Sequence, residues 1–378
     1  VARAGRRRTH FYGTAGRCTP SRASRMTGCD AQRVQMHWNA RDRHVLRPVS
    51  PHGLHVDEIT IAEVLRKQGY ATAMVGKWHL GHLPPFLPTR HGFDSYYAIP
   101  YSNDMKPSPL LRNDIVIEEP VDQTTLTERY TAEAVKFIHE KKDQPFFLYL
   151  AHNMPHIPLF VSEKFEGRSA GGLYGDVIET IDHGVGEILD TLDELNLSEN
   201  TLVLFTSDNG PWLVYGDHGG FATPLRAGKG TTYEGGMRVP FIASWARPSQ
   251  ESPVQKRLPI PEGVIQQQLG TVMDIYPTVL AVTGTQPPAN YILDGTDLQT
   301  QLEGHRNTSR DEKFLMHFPH KHRSSYFTSF RDGDWKIVYH YRPNDNPAKT
   351  PYELFDLAKD PFEKQNLAES KPQVLQKM

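Results

Sequence analysis

The sequence predicts an α/β fold in which a sheet is covered by helices on both faces and a smaller antiparallel sheet follows at the carboxyl end. Helical periodicities alternate with short apolar runs over most of the chain, which is typical of sheets covered by helices on both faces. From about residue 313 the pattern changes to closely spaced short strands. The 378 residues exceed the usual size of a single core, so we expect two domains, residues 1–310 and 311–378.

Each element of this fold follows from hydrophobic spacing. Three predicted units each pair a helix with the strand after it, and they are 60–67 with 70–75, 126–138 with 146–151, and 177–195 with 201–205. A further apolar run predicts a strand over 239–245, and residues 271–283 predict a helix that Pro277 breaks. In the smaller domain, with Asp332-Gly333 as a hairpin turn, the predicted strands are 314–318, 326–330 and 335–341.

The net charge and the cysteine content limit the classes of protein to which the chain could belong. The formal net charge of −2 gives no reason to expect nucleic acid or a membrane surface as a partner, while small anionic substrates remain compatible. No apolar run is long enough to span a bilayer, and no apolar signal segment follows the arginine cluster at residues 6–8. We therefore expect no membrane span and no export signal within this chain. Cys18 and Cys29 are too few for a disulfide framework, although one bridge between them is formally possible.

The most informative segment runs from Cys18 to Gly28. It predicts a short helix with Thr19 as N-cap, Pro20 in the first helical position and Gly28 as the stop. Free backbone amides at a helix start favour anions, and Arg22, one turn later, adds a cation that can bind two oxygens at once. The segment therefore indicates a nucleophile that faces a tetrahedral oxyanion. The alternative interpretation is that Cys18 is a small buried apolar residue.

Polar residues follow three of the predicted strands at their carboxyl ends. In open α/β sheets this edge is where ligands bind. Any one of these side chains taken alone is more simply a solvated loop residue, but three successive cases favour a common site. The residues are Lys77 and His79, His152 and His156, and Asp208 and Asn209.

The segment around Cys18 resembles the signature of the type I sulfatases, in which cysteine, a free position, proline, serine and arginine precede threonine and glycine. In that family the cysteine is oxidised to formylglycine, and the hydrate of this aldehyde supplies the attacking oxygen. The resemblance favours the arylsulfatase A and N-acetylgalactosamine-6-sulfatase branch, and it implies an alkaline-phosphatase-like fold with a large mixed sheet flanked by helices. Arg25 departs from the family, which usually has leucine there, and is expected to strain the packing of this helix.

The resemblance also implies an activity and its partners. The expected reaction is hydrolysis of a sulfate ester, either an aryl sulfate or a sulfated carbohydrate, by a sulfuric ester hydrolase. A formylglycine-generating maturation enzyme is the expected protein partner. The parent protein is expected to be exported to a periplasmic, extracellular or lysosomal compartment.

Further segments match the family residue by residue. Its second signature ends in a lysine and a histidine two positions apart, so Lys77 would contact formylglycine and sulfate, and His79 would be the base. Lys229 resembles the sulfate-binding lysine, and His156 is similar to the histidine on the leaving-group side of the ester. Ser102 resembles a serine that contacts sulfate. The implied catalytic residues are Cys18, Arg22, Lys77, His79, His156 and Lys229.

The resemblance implies one Ca²⁺ ion, held by Asp208, Asn209 and the formylglycine made from Cys18. Ca²⁺ takes six or more oxygen ligands, and the family completes the set with two adjacent aspartates on its first strand. No Asp or Glu precedes Asp30 in this sequence. We therefore expect the aspartate pair and its strand to lie upstream of Val1.

Two alternatives to a sulfatase remain open at this point. The same pocket could bind sulfated glycans without turnover, because the acidic metal ligands are incomplete. A phosphate ester hydrolase of the alkaline phosphatase superfamily is the other alternative. Those relatives generally use two metals and a serine or threonine nucleophile, so Cys18 argues against them.

Overall fold

The structure is a computed structural model, and it describes residues 1–317, 327–341 and 350–378. Helices of very different length are distributed along these ranges. They are α1 (Cys18–Thr27), α2 (Ile61–Lys67), α3 (Leu126–Lys141), α4 (Gly172–Glu194), α5 (Glu234–Met237), α6 (Pro253–Arg257), α7 (Ile275–Val282), α8 (Gln299–Leu302) and α9 (Pro372–Lys377). Among the described residues, no helix combines the length and the apolar character needed to cross a membrane.

The strands are short. They are β1 (Arg6–Arg8), β2 (Phe11–Tyr12), β3 (Ala71–Gly76), β4 (Ser95–Ala98), β5 (Leu110–Arg112), β6 (Ile115–Glu118), β7 (Phe146–Ala151), β8 (Leu202–Thr206), β9 (Phe241–Trp245), β10 (Ile265–Gln266), β11 (Gly270–Thr271), β12 (Lys313–Met316), β13 (Phe327–Asp332), β14 (Trp335–His340) and β15 (Tyr352–Asp356).

These strands pair into sheets of mixed direction. A five-stranded sheet has the order β6-β5-β4-β3-β7, in which β3 is parallel to both β4 and β7. A four-stranded sheet has the order β10-β1-β9-β8, and β11 pairs with β2. The last four strands, β12 to β15, form an antiparallel sheet in chain order. The mixed α/β fold with a carboxyl-terminal antiparallel sheet is as predicted.

A cavity of about 1680 Å³ lies between the five-stranded sheet and the four-stranded sheet that contains β8. Its walls include β7 and β8, which are the end strands of their sheets among the described residues, and apolar side chains of α4. Phe205 on β8 and Ile178 on α4 are therefore 40% and 42% exposed, although such side chains are usually buried. In the described residues the predicted large sheet is thus two sheets with a cavity between them.

Most predicted elements are present with ends shifted by a few residues. The strand predicted over 146–151 coincides with β7, and the predicted hairpin turn is confirmed, because β13 and β14 pair from Asp332 with Trp335. The helix over 271–283 is not broken at Pro277. That residue lies in the first turn of α7, where its missing N–H has no intrahelical acceptor to lose.

The carboxyl-terminal sheet contains one more strand than predicted. Sequence spacing did not indicate β15, which pairs with β14. Phe318 and Tyr326, at the ends of two predicted strands, lie outside the described residues. The sheet packs on α5 and the segment before it, where Tyr233 joins an apolar cluster with Val338 and Phe355. The division into residues 1–310 and 311–378 stays a prediction.

Candidate active site

Cys18 is the first residue of α1 and is only 3% exposed. The ammonium group of Lys229 donates to its Sγ atom at 3.3 Å. Cys18 and Cys29 are both free thiols, so the formally possible bridge between them is not formed. The residue proposed as the nucleophile precursor is therefore reduced, buried and in contact with a cation.

The start of α1 differs from the prediction in two details. Pro20 is the third residue of the helix and not the first, because the helix begins at Cys18. Thr19 is not the N-cap: the cap position is Arg17, and Thr19 lies inside the helix. Its hydroxyl instead donates to the carbonyl oxygen of His79 at 3.1 Å and accepts from the backbone N–H of Leu46. The predicted stop is confirmed, because Gly28 ends the helix in the left-handed conformation with φ 70°.

Arg22 connects the ends of two strands. Its Nε donates to Asp208 Oδ2 at 2.8 Å, and its Nη1 donates to the carbonyl oxygen of Lys77. Asp208 follows β8 and Lys77 follows β3, so one side chain fixes the carboxyl ends of strands from both sheets. Burial by itself would raise the pKa of Asp208, but Arg22, Lys77 and Lys229 outweigh it and hold that pKa far below its usual range.

A chain of polar contacts runs away from Lys77. Its Nζ donates to Ser102 Oγ at 3.2 Å, and Ser102 Oγ lies 3.4 Å from His156 Nδ1. The same Nδ1 lies 2.6 Å from the carbonyl oxygen of Ile157, an acceptor only, so it carries the proton and Nε2 is the free acceptor. Burial, followed by the charges of Lys229 and Lys77, holds the pKa of His156 well below its ordinary value. Burial likewise lowers the pKa of Lys77.

His79 is held by the backbone on its outer side. Its Nε2 lies 2.9 Å from the carbonyl oxygen of Leu46, so Nε2 carries the proton. Its Nδ1 is buried and has no partner among the described residues. Burial and the neighbouring charge of Lys77 hold the pKa of His79 well below its ordinary value. A neutral imidazole with an unpaired Nδ1 can accept a proton.

The structure thus connects the predicted residues through a few short contacts. Asn209 is buried beside Asp208 at the end of β8. His152 is not joined to the other predicted residues by a hydrogen bond among the described residues. Its ring packs against Tyr130 with centroids 6.3 Å apart. Neither ring nitrogen of His152 has a hydrogen-bond partner among the described residues.

Comparison with known proteins assigns the chain to a family. A family model described as Sulfatase matches residues 1–285, and one described as N-sulphoglucosamine sulphohydrolase, C-terminal, matches residues 227–378. The chain belongs to the sulfatase family. Its members are sulfuric ester hydrolases that generally depend on formylglycine and bind calcium.

Two kinds of relative agree with this assignment. Arylsulfatase A of Bos taurus is 36% identical over 99% of this chain and 78% of its own length. N-acetylgalactosamine-6-sulfatase of Canis lupus familiaris is 38% identical over 79% of this chain, which spans 59% of that protein. These are the two relatives that the sequence resemblance indicated.

Solved structures show the same fold. Ps i-CgsB, solved in complex with k-i-k-neocarrahexaose, gives a TM-score of 0.83 at 27% identity over 100% of this chain and 84% of its own. The PsFucS1 sulfatase from Pseudoalteromonas sp. gives 0.80 at 26% identity over 99% of this chain and 81% of its own. The predicted alkaline-phosphatase-like fold is confirmed.

Two residues at the site were not anticipated in their observed roles. Arg25, expected to strain α1, instead donates to Tyr149 Oη at 3.1 Å and to the carbonyl oxygen of Ser207 at 3.0 Å. These two bonds connect α1 with β7 and with the end of β8, although Arg25 Nε is buried without a partner among the described residues. Trp212, which no motif indicated, lies over the ammonium group of Lys229 with 4.7 Å between Nζ and the ring centroid.

The described residues do not complete a Ca²⁺ site. Asp208 and Asn209 offer oxygen ligands, and Asn209 Oδ1 is buried without a partner, but Ca²⁺ takes six to eight oxygens. No cluster of three or more potential metal-binding side chains occurs within the described ranges. The nearby charges are mostly positive, since Arg22 and Lys77 act on Asp208 together with Lys229.

Gly76 allows β3 to end close against β7. Its φ is 97°, and a Cβ atom there would lie 2.0 Å from the carbonyl oxygen of Ala151, which also accepts from the N–H of Lys77. Gly76→Ala is expected to lower the free energy of unfolding by at least about 2 kcal/mol, measured by urea denaturation. Gly69→Ala is the control, because Gly69 has φ 83° and nothing within 4 Å. Equal losses in the two variants would contradict a steric cause.

Proposed function

We propose that this chain hydrolyses sulfate esters through a formylglycine made from Cys18. The observation that carries the proposal is the 3.3 Å contact from Lys229 Nζ to Cys18 Sγ at the start of α1, with Arg22 one turn along the same helix. A nucleophile surrounded by cations and helix amides suits an oxyanion substrate. A formylglycine hydrate at position 18 would supply the attacking oxygen there.

The remaining side chains have roles that follow from their contacts. Arg22, Lys77 and Lys229 stabilise negative charge on the sulfuryl oxygens. His79 accepts a proton at Nδ1, because its Nε2–H is held by the Leu46 carbonyl oxygen. Ser102 orients the ammonium group of Lys77.

His156 is expected to act differently from the residue-by-residue match. Its neutral ring has Nδ1–H directed at the Ile157 carbonyl oxygen, so Nε2 can accept a proton but has none to donate. The hydrogen bond to the departing oxygen would then come from the ammonium group of Lys229. His156 remains on the leaving-group side as an acceptor.

The substrate class we propose is a sulfated carbohydrate. The canine relative is named for a sulfate on N-acetylgalactosamine, and a structural neighbour above 25% identity was solved with k-i-k-neocarrahexaose. A formylglycine-generating enzyme would be the maturation partner. We also propose that the parent protein is exported and that Asp208, Asn209 and the matured Cys18 contribute to a calcium site.

A binding protein without turnover is a second candidate function. It is favoured by one observation, namely that Asp208 and Asn209 offer fewer oxygens than Ca²⁺ takes. Such a protein would retain sulfated glycans through Arg22, Lys77 and Lys229 but release no sulfate.

Mass spectrometry and an activity assay separate these functions. When the chain is produced with a maturation enzyme, the peptide with Cys18 is expected to carry an aldehyde, and Ca²⁺-dependent release from 4-nitrophenyl sulfate is expected to exceed release from 4-nitrophenyl phosphate. Cys18→Ala is expected to abolish turnover, whereas Cys29→Ala, which changes the other buried thiol, is expected to retain it. An unmodified thiol in every preparation would overturn the catalytic proposal. Retention of sulfated glycan without hydrolysis would support the binding protein.

A further inference from the structure

A half-buried indole forms one wall of the candidate site. The ring centroid of Trp212 is 4.7 Å from Lys229 Nζ and 5.6 Å from the centroid of the His156 ring. Lys229 contacts Cys18, and His156 lies on the side assigned to the leaving group. The indole therefore lies where the non-sulfate part of a substrate would leave the site. The indole has no part in the proposed catalytic reaction.

The loop that carries Trp212 is closed on itself. The N–H of Trp212 donates to the carbonyl oxygen of Gly219 at 3.0 Å, and the N–H of Tyr215 donates to the carbonyl oxygen of Trp212 at 3.1 Å. Gly219 is required there, because a Cβ atom would lie 2.1 Å from that Trp212 oxygen. The Tyr215 ring packs edge-on to the indole with centroids 4.8 Å apart. An indole held in this way loses little freedom when a ligand binds.

The outer side of the same loop is apolar and exposed. Leu213, Val214 and Tyr215 are each more than two fifths exposed, and Phe221 is 69% exposed. Exposed apolar side chains clustered beside a polar pocket are typical of a ligand surface. At the inner side, the Lys229 ammonium lies over the indole. A ligand with an anionic end and an apolar ring face therefore fits this wall.

We propose that the Trp212 indole, with the Tyr215 ring packed edge-on against it, forms a stacking platform for the ring of a sulfated pyranose, and that this platform selects among sulfate esters. The inference rests on the proposed function and names a substrate-binding surface for it. The C–H face of a pyranose would lie on the aromatic surface while the sulfate reaches Lys229.

The test compares a ligand that has a ring with one that lacks it. Affinities of the full chain for a 6-sulfated hexosamine and for inorganic sulfate are measured by calorimetry. Trp212→Leu is expected to bind the sugar sulfate about tenfold more weakly and inorganic sulfate with unchanged affinity. Trp212→Phe, which keeps an aromatic face, is expected to lose less affinity for the sugar sulfate. Trp335→Phe, on β14 of the carboxyl-terminal sheet, is the matched tryptophan control and should alter neither affinity.

Three results would decide against the platform or separate it from the proposed function. Equal weakening of both ligands by Trp212→Leu would show that the indole acts only through Lys229. If Trp212→Leu weakened the binding of 4-nitrophenyl sulfate but not of the sugar sulfate, the surface would take an aryl ring and not a pyranose. Since binding needs no turnover, tight Trp212-dependent binding without hydrolysis of any sulfate ester would refute the proposed function and leave the platform standing.

Discussion

Arg22→Met is expected to lower kcat/KM for a sulfate ester by about 10³-fold. Arg22 is the side chain that joins α1 to the ends of β3 and β8, through Lys77 and Asp208. Removing it takes a forked cation away from the developing oxyanion. It also leaves Asp208 buried without its closest partner, which we expect to cost about 3 kcal/mol of stability. The measurements are steady-state kinetics on the matured protein and thermal denaturation.

A second buried arginine in the same helix provides the control. Arg25 contacts Tyr149 and the Ser207 carbonyl oxygen and makes no ion pair with Asp208. Arg25→Met should therefore reduce stability while leaving kcat/KM within about tenfold of the wild type. Arg22→Lys should keep the charge but lose the fork, and so recover only part of the activity. Turnover by Arg22→Met within tenfold of the wild type would contradict the assigned role.

The sequence indicated the residues of the site better than their connections. Short motifs at the ends of strands were sufficient to predict Lys77, His79 and Asp208 as candidate site residues, because the carboxyl edge of an α/β sheet gathers loop residues. The individual contacts depend on chain geometry that spacing does not encode. The hydroxyl of Thr19 is an example: local preference favours capping, but the His79 carbonyl oxygen and the Leu46 N–H offer it tertiary partners.

The arrangement of the sheets was also beyond hydrophobic patterns. An apolar run such as β8 predicts a strand with both faces covered, but it does not say which strand lies beside it. Among the described residues β8 pairs with β9 alone, and the cavity leaves Phe205 partly exposed. Trp212 was missed for a related reason. An aromatic residue in a loop has no periodicity, and its position over Lys229 arises from the closed loop 212–219.

A buried charge network joins the carboxyl-terminal sheet to the segment that follows Lys229. The Lys336 side chain is fully buried, and its Nζ lies 2.9 Å from Glu234 and 2.8 Å from Glu363. Burial raises the pKa of Glu363 to about 7, although Lys336 opposes the shift. Glu234 keeps a lowered pKa because Lys336 and Arg331 outweigh the effect of burial. One ammonium group thus lies between two carboxyl groups inside the protein.

Lys336→Met is expected to lower the free energy of unfolding by about 3–5 kcal/mol at pH 8, because it leaves Glu234 and Glu363 buried together without their shared cation. In the unsubstituted protein, the folded state binds a proton at Glu363 more tightly than the unfolded chain does. The contribution of Glu363 to the free energy of unfolding therefore falls as the pH rises from about 4.5 towards 7. Without Lys336 the pKa of Glu363 rises further, so the loss should be smaller at pH 5 than at pH 8. Urea denaturation at both values measures it, with Lys313→Met on the exposed side of β12 as the control. A loss that does not depend on pH would show that Lys336 contributes packing rather than charge.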